Sequence, residues 1–218
     1  MKRREFALAC GSILAPAAWA QTTTPTQVMG RPPQPGKEYL PLEKPAPIEA
    51  PTGKIEVVEF FWYNCPHCTA FEPALDAWIK RLPKDVLFRR VPVAFSSSFA
   101  PQQRLYYALE AMGLVEKLHA KVFYAIHVER KQLEKAEAII DWVAAQGVDK
   151  AKFTENFNSF STASKSSRAN QLTAAYKVEG VPAMGVAGRF YTDSTMAKGT
   201  EHVLQVVDYL VGEVRKGR

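Results

Sequence analysis

The chain has 218 residues, a formal net charge of +6 and three cysteines, and 47% of it is apolar. That length suits one domain, or one domain carrying an insertion, with apolar material enough for a core that does not lean on disulfides. Beyond the first few residues no Lys/Arg run exceeds two and aromatics do not alternate with basic residues, which excludes a nucleic-acid partner; no apolar run reaches the roughly 18–20 residues that span a bilayer.

Residues 1–20 read as a targeting segment. Lys2, Arg3 and Arg4 make a positive start, Phe6 to Ala18 is mostly apolar, and Ala18-Trp19-Ala20 gives a small-x-small cleavage pattern, so cleavage is expected before Gln21. Arg3-Arg4 only partly matches a twin-arginine signal, and too few apolar residues precede Cys10 for a lipoprotein site. Removing the segment lowers the charge to +4, a mildly basic surface, and leaves two cysteines spaced Cys-x-x-Cys.

Residues 21–51 form a proline-rich tether, with eight of the fifteen prolines and little hydrophobic periodicity, disordered or lying along the surface. Within it Tyr39 and Leu40 suggest a short edge strand stopped by Pro41. Ile55 to Trp62 is the clearest strand, apolar on both faces as a central strand covered by helices should be. Cys65-Pro66 then opens a helix, Pro66 fitting the first helical position. Phe71, Leu75, Trp78, Ile79 and Leu82 give it one apolar face, and Pro73 should kink it. Val86 to Val93 reads as a second strand, parallel to the first because a helix joins them.

From Ala100 the texture is helical. Leu105, Leu109 and Met112 mark one helix, Leu118, Val122, Phe123 and Ile126 a second, Ile139, Ile140 and Val143 a third, and Phe153, Phe157 and Phe160 a fourth. Gly113 and Gly147 fall where helices would end. A long helix from about Ala163 to Val178 returns the chain to the sheet. There Ala183 to Thr192 reads as two short strands turning at Gly188-Arg189, and Val203, Val206, Val207, Leu210, Val211 and Val214 share one face of a last helix. The expected fold is α/β: a sheet domain over residues 52–98 and 163–218, interrupted by an all-helical insert over 99–162.

A Cys-x-x-Cys pair at a strand-to-helix junction carries specific chemistry. The Cys65 sulfur sits where unpaired N–H groups and the helix dipole favour negative charge, so its thiolate is stabilised. Cys68, one turn further in, attacks the mixed disulfide and releases the partner. Pro66 fixes how the helix begins, and His67 adds a donor that is partly cationic near neutral pH. A stabilised thiolate means a stabilised reduced form and an oxidising disulfide. A zinc site would need two more ligands, haem attachment would need His in place of Thr69, and a structural disulfide closing two residues constrains the unfolded chain little. No metal and no cofactor is expected. His119, His127 and His202 fall on helical patterns and read as ordinary surface or half-buried residues.

Two further places stand out. Glu59 lies in a strand of Val, Phe and Trp, where an unpaired carboxylate costs several kcal/mol. Either it is buried with a raised pKa, able to exchange protons with a nearby thiol, or it reaches solvent or Arg89/Arg90 from the strand end. Arg90 is a candidate partner. Gly180-Val181-Pro182 is compatible with a cis peptide bond, which would leave the Val181 backbone free to pair with an extended peptide. The dipeptide alone does not decide it.

Together these residues resemble the DsbA family of periplasmic disulfide-bond formation proteins. Glu59-Phe60-Phe61, Cys65-Pro66-His67-Cys68 and Phe71-Glu72 look like that family's strand and redox helix, and Gly180-Val181-Pro182-Ala183-Met184 looks like its cis-proline loop. The resemblance covers about residues 38–215. It implies a thioredoxin fold with an inserted helical domain, Cys65 as the attacking and Cys68 as the resolving cysteine, His67 as thiolate stabiliser, a buried acid at Glu59, and a cis bond between Val181 and Pro182. It further implies a periplasmic protein that donates its disulfide to unfolded exported proteins and is reoxidised by a DsbB-like quinone-linked membrane oxidase; a monomer is expected because the segment before the sheet offers no dimerisation domain. Arg90 stands where the family usually has lysine, which leaves the proton-relay role of Glu59 open. A disulfide isomerase or reductase is the nearest competing reading, though residues 22–51 are too short and proline-rich for a dimerisation domain. A thioredoxin-like binding protein or chaperone without redox turnover is the third.

Overall fold

The computed structural model describes residues 31–217. Its centre is a five-stranded mixed sheet in the order β1-β5-β4-β2-β3. Strand β2 (Ile55–Phe61) lies in the interior of the sheet, buried from its second residue onward. It pairs parallel with β3 (Val86–Pro92) and antiparallel with β4 (Ala183–Val186). Helix α1 (Pro66–Ile79) makes the crossover from β2 to β3, which is why those two strands run the same way. Beyond β4 the chain turns back tightly, Arg189 N donating to Val186 O at 2.9 Å, into β5 (Phe190–Asp193).

Five helices separate β3 from β4: α2 (Ala100–Ala111), α3 (Val115–His127), α4 (Ala136–Ala145), α5 (Lys150–Asn158) and α6 (Phe160–Ala175). Gly113 (φ 66°) and Gly147 (φ 81°) take left-handed backbone just past α2 and α4, where a side chain would be strained. One expectation fails here. Phe160 does not close the fourth helix of the block but opens the next, with 88% of its surface exposed. Ser159 causes the break: its extended backbone (ψ 154°) ends α5, and its hydroxyl accepts from Thr162 N to cap α6.

The two sheet faces carry separate cores. Val58 and Phe60 face the helical block, where Phe60 packs edge-on against Tyr176 at 5.2 Å. Val57 faces α1 and the last helix, α7 (Thr200–Arg215), whose Val203, Val206, Val207, Leu210 and Val211 are all buried. Full burial of each such side chain contributes ~1.5–3 kcal/mol. Trp78 Nε1 donates to Asp208 Oδ1 at 2.8 Å and fastens α1 to α7.

Of the two readings of the proline-rich segment, its described part lies along the surface. Strand β1 (Leu40–Pro41) adds to the sheet edge beside β5 and includes Pro41 as its last residue, one beyond the expected stop. Leu42 N and Ala46 N then bond to Arg189 O and Gly188 O, carrying the chain across the hairpin turn. The targeting segment lies outside the described residues. No described helix is long and apolar enough to cross a membrane.

Candidate functional site: a dithiol at the end of the central strand

Strand β2 stops at Phe61, and the chain turns through Trp62-Tyr63-Asn64 with Cys65 N bonded to Trp62 O at 3.0 Å. Cys65 is the N-cap of α1 in extended backbone, with Pro66 in the first helical position. Cys68 lies in the first turn. Both cysteines are free thiols and both are buried, Cys65 retaining 7% of its surface and Cys68 none. Pro66 and His67 between them are exposed.

The two sulfurs differ sharply. A hydrogen bond from the Cys68 thiol does most to stabilise the Cys65 thiolate. Burial works against it, while the N–H groups of Cys68 and His67 and then the His67 charge add to it, bringing the Cys65 pKa down to about 6. Burial, the Cys65 sulfur and the nearby Glu59 push the Cys68 thiol far above the usual range, so it keeps its proton. The sequence reading credited the N–H groups of the helix terminus and then His67; in the structure the Cys68 thiol comes first, followed by the backbone N–H groups and last by the His67 charge.

Across from α1, the Val181–Pro182 peptide bond is cis. The Val181 carbonyl lies 3.4 Å from Cys65 Sγ, within reach of its S–H. Strand β4 begins one residue beyond Pro182, paired to β2 through Ala183 and Phe60, so sheet register holds this loop against the cysteine.

Glu59 is wholly buried, not at a solvent-reaching strand end. Arg90, its register partner on β3, donates from Nε to Glu59 Oε2 at 3.1 Å. The same guanidinium donates to Glu72 Oε2 at 2.9 Å and Asp76 Oδ1 at 3.2 Å on α1. Glu59 Oε1 is buried without a partner. Burial first, then the Glu72 charge, push the Glu59 carboxyl up to about 8, against the pull of Arg90. Burial also works against Glu72, but His119 and Arg90 together hold its carboxyl below the ordinary range.

The reading of His119 as a surface or half-buried residue is corrected here. It is buried at 5% exposure inside an aromatic cage of Phe61, Tyr63, Tyr106 and Phe123. Its Nδ1 lies 2.9 Å from the Tyr63 hydroxyl and its Nε2 3.3 Å from Glu72 Oε1. His127 is half-buried, its Nε2 2.8 Å from the Tyr63 carbonyl, and His202 is likewise half-buried. Tyr63 was missed in the sequence altogether. The signal for His119 was present, since it stands four residues before Phe123 on an otherwise apolar helix face. Among the described residues no group of three or more His, Cys, Asp or Glu could hold a metal ion.

Such a pair, one sulfur ionised near neutral pH and the other held as a thiol, exchanges disulfides, and this chain is a thiol–disulfide oxidoreductase built on a thioredoxin-like sheet. More narrowly, it belongs to the family of the DSBA-like thioredoxin domain, whose family model matches residues 56–211. It is 44% identical over 209 residues to the thiol:disulfide interchange protein DsbA of Bordetella parapertussis, covering 94% of this chain and 96% of that one. The crystal structure of Pseudomonas aeruginosa DsbA matches with a TM-score of 0.80 at 44% identity, over 84% of this chain and 94% of that one. The DsbA oxidoreductase of Xylella fastidiosa matches at 32% identity with a TM-score of 0.79, over 85% and 100%.

Proposed function

We propose that the chain works as a periplasmic monomer that gives the Cys65–Cys68 disulfide to unfolded exported proteins. The observation that carries this direction is the asymmetry of the two sulfurs: Cys65 caps the N-terminus of α1, where its pKa falls to about 6, while Cys68 is wholly buried and keeps its proton. A sulfur that is stable as a thiolate is a good leaving group, and its stability favours the reduced protein over the bridged one.

In this reading a client thiolate attacks Cys65 Sγ of the oxidised pair. The S–S bond breaks, and Cys68 departs with the electron pair and takes up a proton, with Glu59 as the buried acid acting on it. The client is then joined to Cys65. Its second thiolate attacks the client sulfur of that mixed disulfide and expels Cys65 as a thiolate, so two electrons pass from client to enzyme. A DsbB-like quinone-linked membrane oxidase removes them again. Cys68 attacks the mixed disulfide when a client fails to complete the second step.

The surroundings favour an extended polypeptide as client. Val181 and Pro182 present backbone beside Cys65, suited to strand-like pairing. On the other flank Trp62 stacks on Phe99 with ring centroids 3.8 Å apart, and exposed Phe95 lies edge-on to Phe99. The targeting segment read at residues 1–20 fits export. The segment division proposed from the sequence, with the helical insert at 99–162, fits the placement of α2 to α5 between the two halves of the sheet.

A glutathione redox titration of the chain from Gln21 tests the direction. The pair should be largely reduced in a buffer with equal reduced and oxidised glutathione. A pair that stays oxidised there is no donor, and the electron flow runs the other way.

A further inference from the structure

Tyr63, two residues before Cys65, is held at both ends by α3, its hydroxyl by His119 and its carbonyl by His127. Glu72 lies between His119 and Arg90 and is charged, so it can only accept. The His119 hydrogen therefore resides on Nε2, donated to Glu72, and Nδ1 accepts from the Tyr63 hydroxyl. Burial keeps His119 neutral against the pull of Glu72. The result is a continuous run, Tyr63–His119–Glu72–Arg90–Glu59, from the turn before the nucleophile to the buried acid.

Charge in this cluster does not balance. One guanidinium serves three carboxyl groups, Glu59 from β2 and Glu72 and Asp76 from α1. The other titratable groups facing it are His119 from α3, Tyr106 from α2, Tyr63 and Cys68, none of them a cation here. Asp76 is half exposed at the edge of the cluster. Glu72 has His119. Glu59 has one bond and one bare oxygen.

We propose that His119 is a positioning residue for disulfide exchange: by fastening Glu72 to Arg90 as an ion, it leaves Glu59 as the carboxyl of the cluster that keeps a proton. The Glu59 charge bears on Cys68, so His119 acts on the buried thiol through three intervening side chains, Glu72, Arg90 and Glu59, without touching either sulfur. The consequence for exchange rests on the function proposed above; the protonation itself does not.

The test is a side-chain carboxyl titration by carbon NMR on the full chain from Gln21, labelled at glutamate. In the native protein Glu59 should titrate near the value of about 8. His119→Phe removes the donor, so Glu72 competes for the proton and the Glu59 midpoint should fall by at least one pH unit. His119→Gln, whose amide can donate to Glu72, should restore it. A Glu59 midpoint unmoved in folded His119→Phe overturns the proposal. Should that variant not fold, Glu72→Gln takes its place: neutralising Glu72 must also lower the Glu59 midpoint, and an unmoved midpoint is equally fatal. If the midpoint shifts as stated while the glutathione titration shows no donor behaviour, the direction of exchange fails and the role of His119 in the cluster stands.

Discussion

Two buried acid–arginine pairs tie β2 to β3, and they differ in kind. Glu56–Arg89 and Glu59–Arg90 use the same residue types, but alternation along the strands sends them to opposite faces of the sheet. On the face toward the helical block, Glu56 has every need met. Its Oε2 accepts from Glu49 N, Ala50 N and Arg89 Nε at 2.8, 3.1 and 3.0 Å, and its Oε1 accepts from Arg89 Nη2 at 3.3 Å. On the α1 face, Glu59 receives one bond from an arginine divided among three carboxyl groups. A buried carboxylate with its lone pairs filled is a fastening; one left short of donors becomes a group that holds a proton. The fastening joins the segment before β2 to the sheet, and the proton holder acts on the thiols.

That contrast predicts opposite signs on mutation. Glu56→Ala should cost ~2–4 kcal/mol, because it takes the buried partner from a half-buried guanidinium and the acceptor from two backbone N–H groups. Urea unfolding would show the loss, while the ultraviolet midpoint of the Cys65 thiolate should stay near about 6. A loss under 1 kcal/mol would put the two pairs in the same class. Glu59→Gln should do the reverse. The folded Glu59 pKa of about 8 lies above the ordinary glutamate value of ~4.3, so its stabilising contribution is complete below ~4.3 and is lost as pH rises through about 8. The native protein should therefore weaken between pH 5 and 9, and Glu59→Gln should flatten that slope and be ~1–3 kcal/mol more stable at pH 8.5. The oxidised form is the one to unfold, since no thiol then titrates. An unchanged slope would mean that Glu59 is ionised throughout.

Patterns that depend on neighbours in the chain were legible in the sequence, and those that depend on packing were not. The order of strands and helices followed from periodicity, and Cys65-x-x-Cys68 at a strand–helix junction stated its chemistry through spacing alone. Glu59 stood out because a carboxylate among Val and Phe breaks the strand pattern, and Arg90 was a candidate partner from its place near the end of the adjacent strand, which the parallel register then set opposite Glu59. Glu56 breaks the same pattern, yet nothing local announced it, because two of its donors come from Glu49 and Ala50 in a segment without periodicity. His119 was misread for a related reason. Whether a histidine on a helix is solvated or caged depends on what that helix packs against, here Phe61 and Tyr63 from more than fifty residues away. Phe160 was misplaced because Ser159 serves as the end of one helix and the cap of the next, a double role invisible to a spacing count.

The smallest effects concern the thiols, and they decide whether the Glu59 face serves redox chemistry. The reduced-form Cys65 pKa of about 6 lies below the ordinary ~8.5, so ionisation stabilises the folded dithiol fully above ~8.5, and that stabilisation is lost as pH falls through about 6. At pH 7 the ionised sulfur should contribute ~1 kcal/mol to the reduced protein, after a discount for the water that reaches it. Urea curves for the two forms should show the reduced protein the more stable at pH 7 and the gap narrowing toward pH 5. His67→Pro then removes a backbone N–H and a charge from the Cys65 environment together, since proline carries no N–H. The thiolate midpoint should rise by ~0.5–1 unit, and the glutathione equilibrium should shift about three- to tenfold toward the oxidised protein. The Glu59 titration should not move, because His67 is exposed and outside the Arg90 cluster. An equilibrium that stays where it was would mean that Cys68 alone sets the ionisation of Cys65, and that the exposed residues between the cysteines have no hand in it.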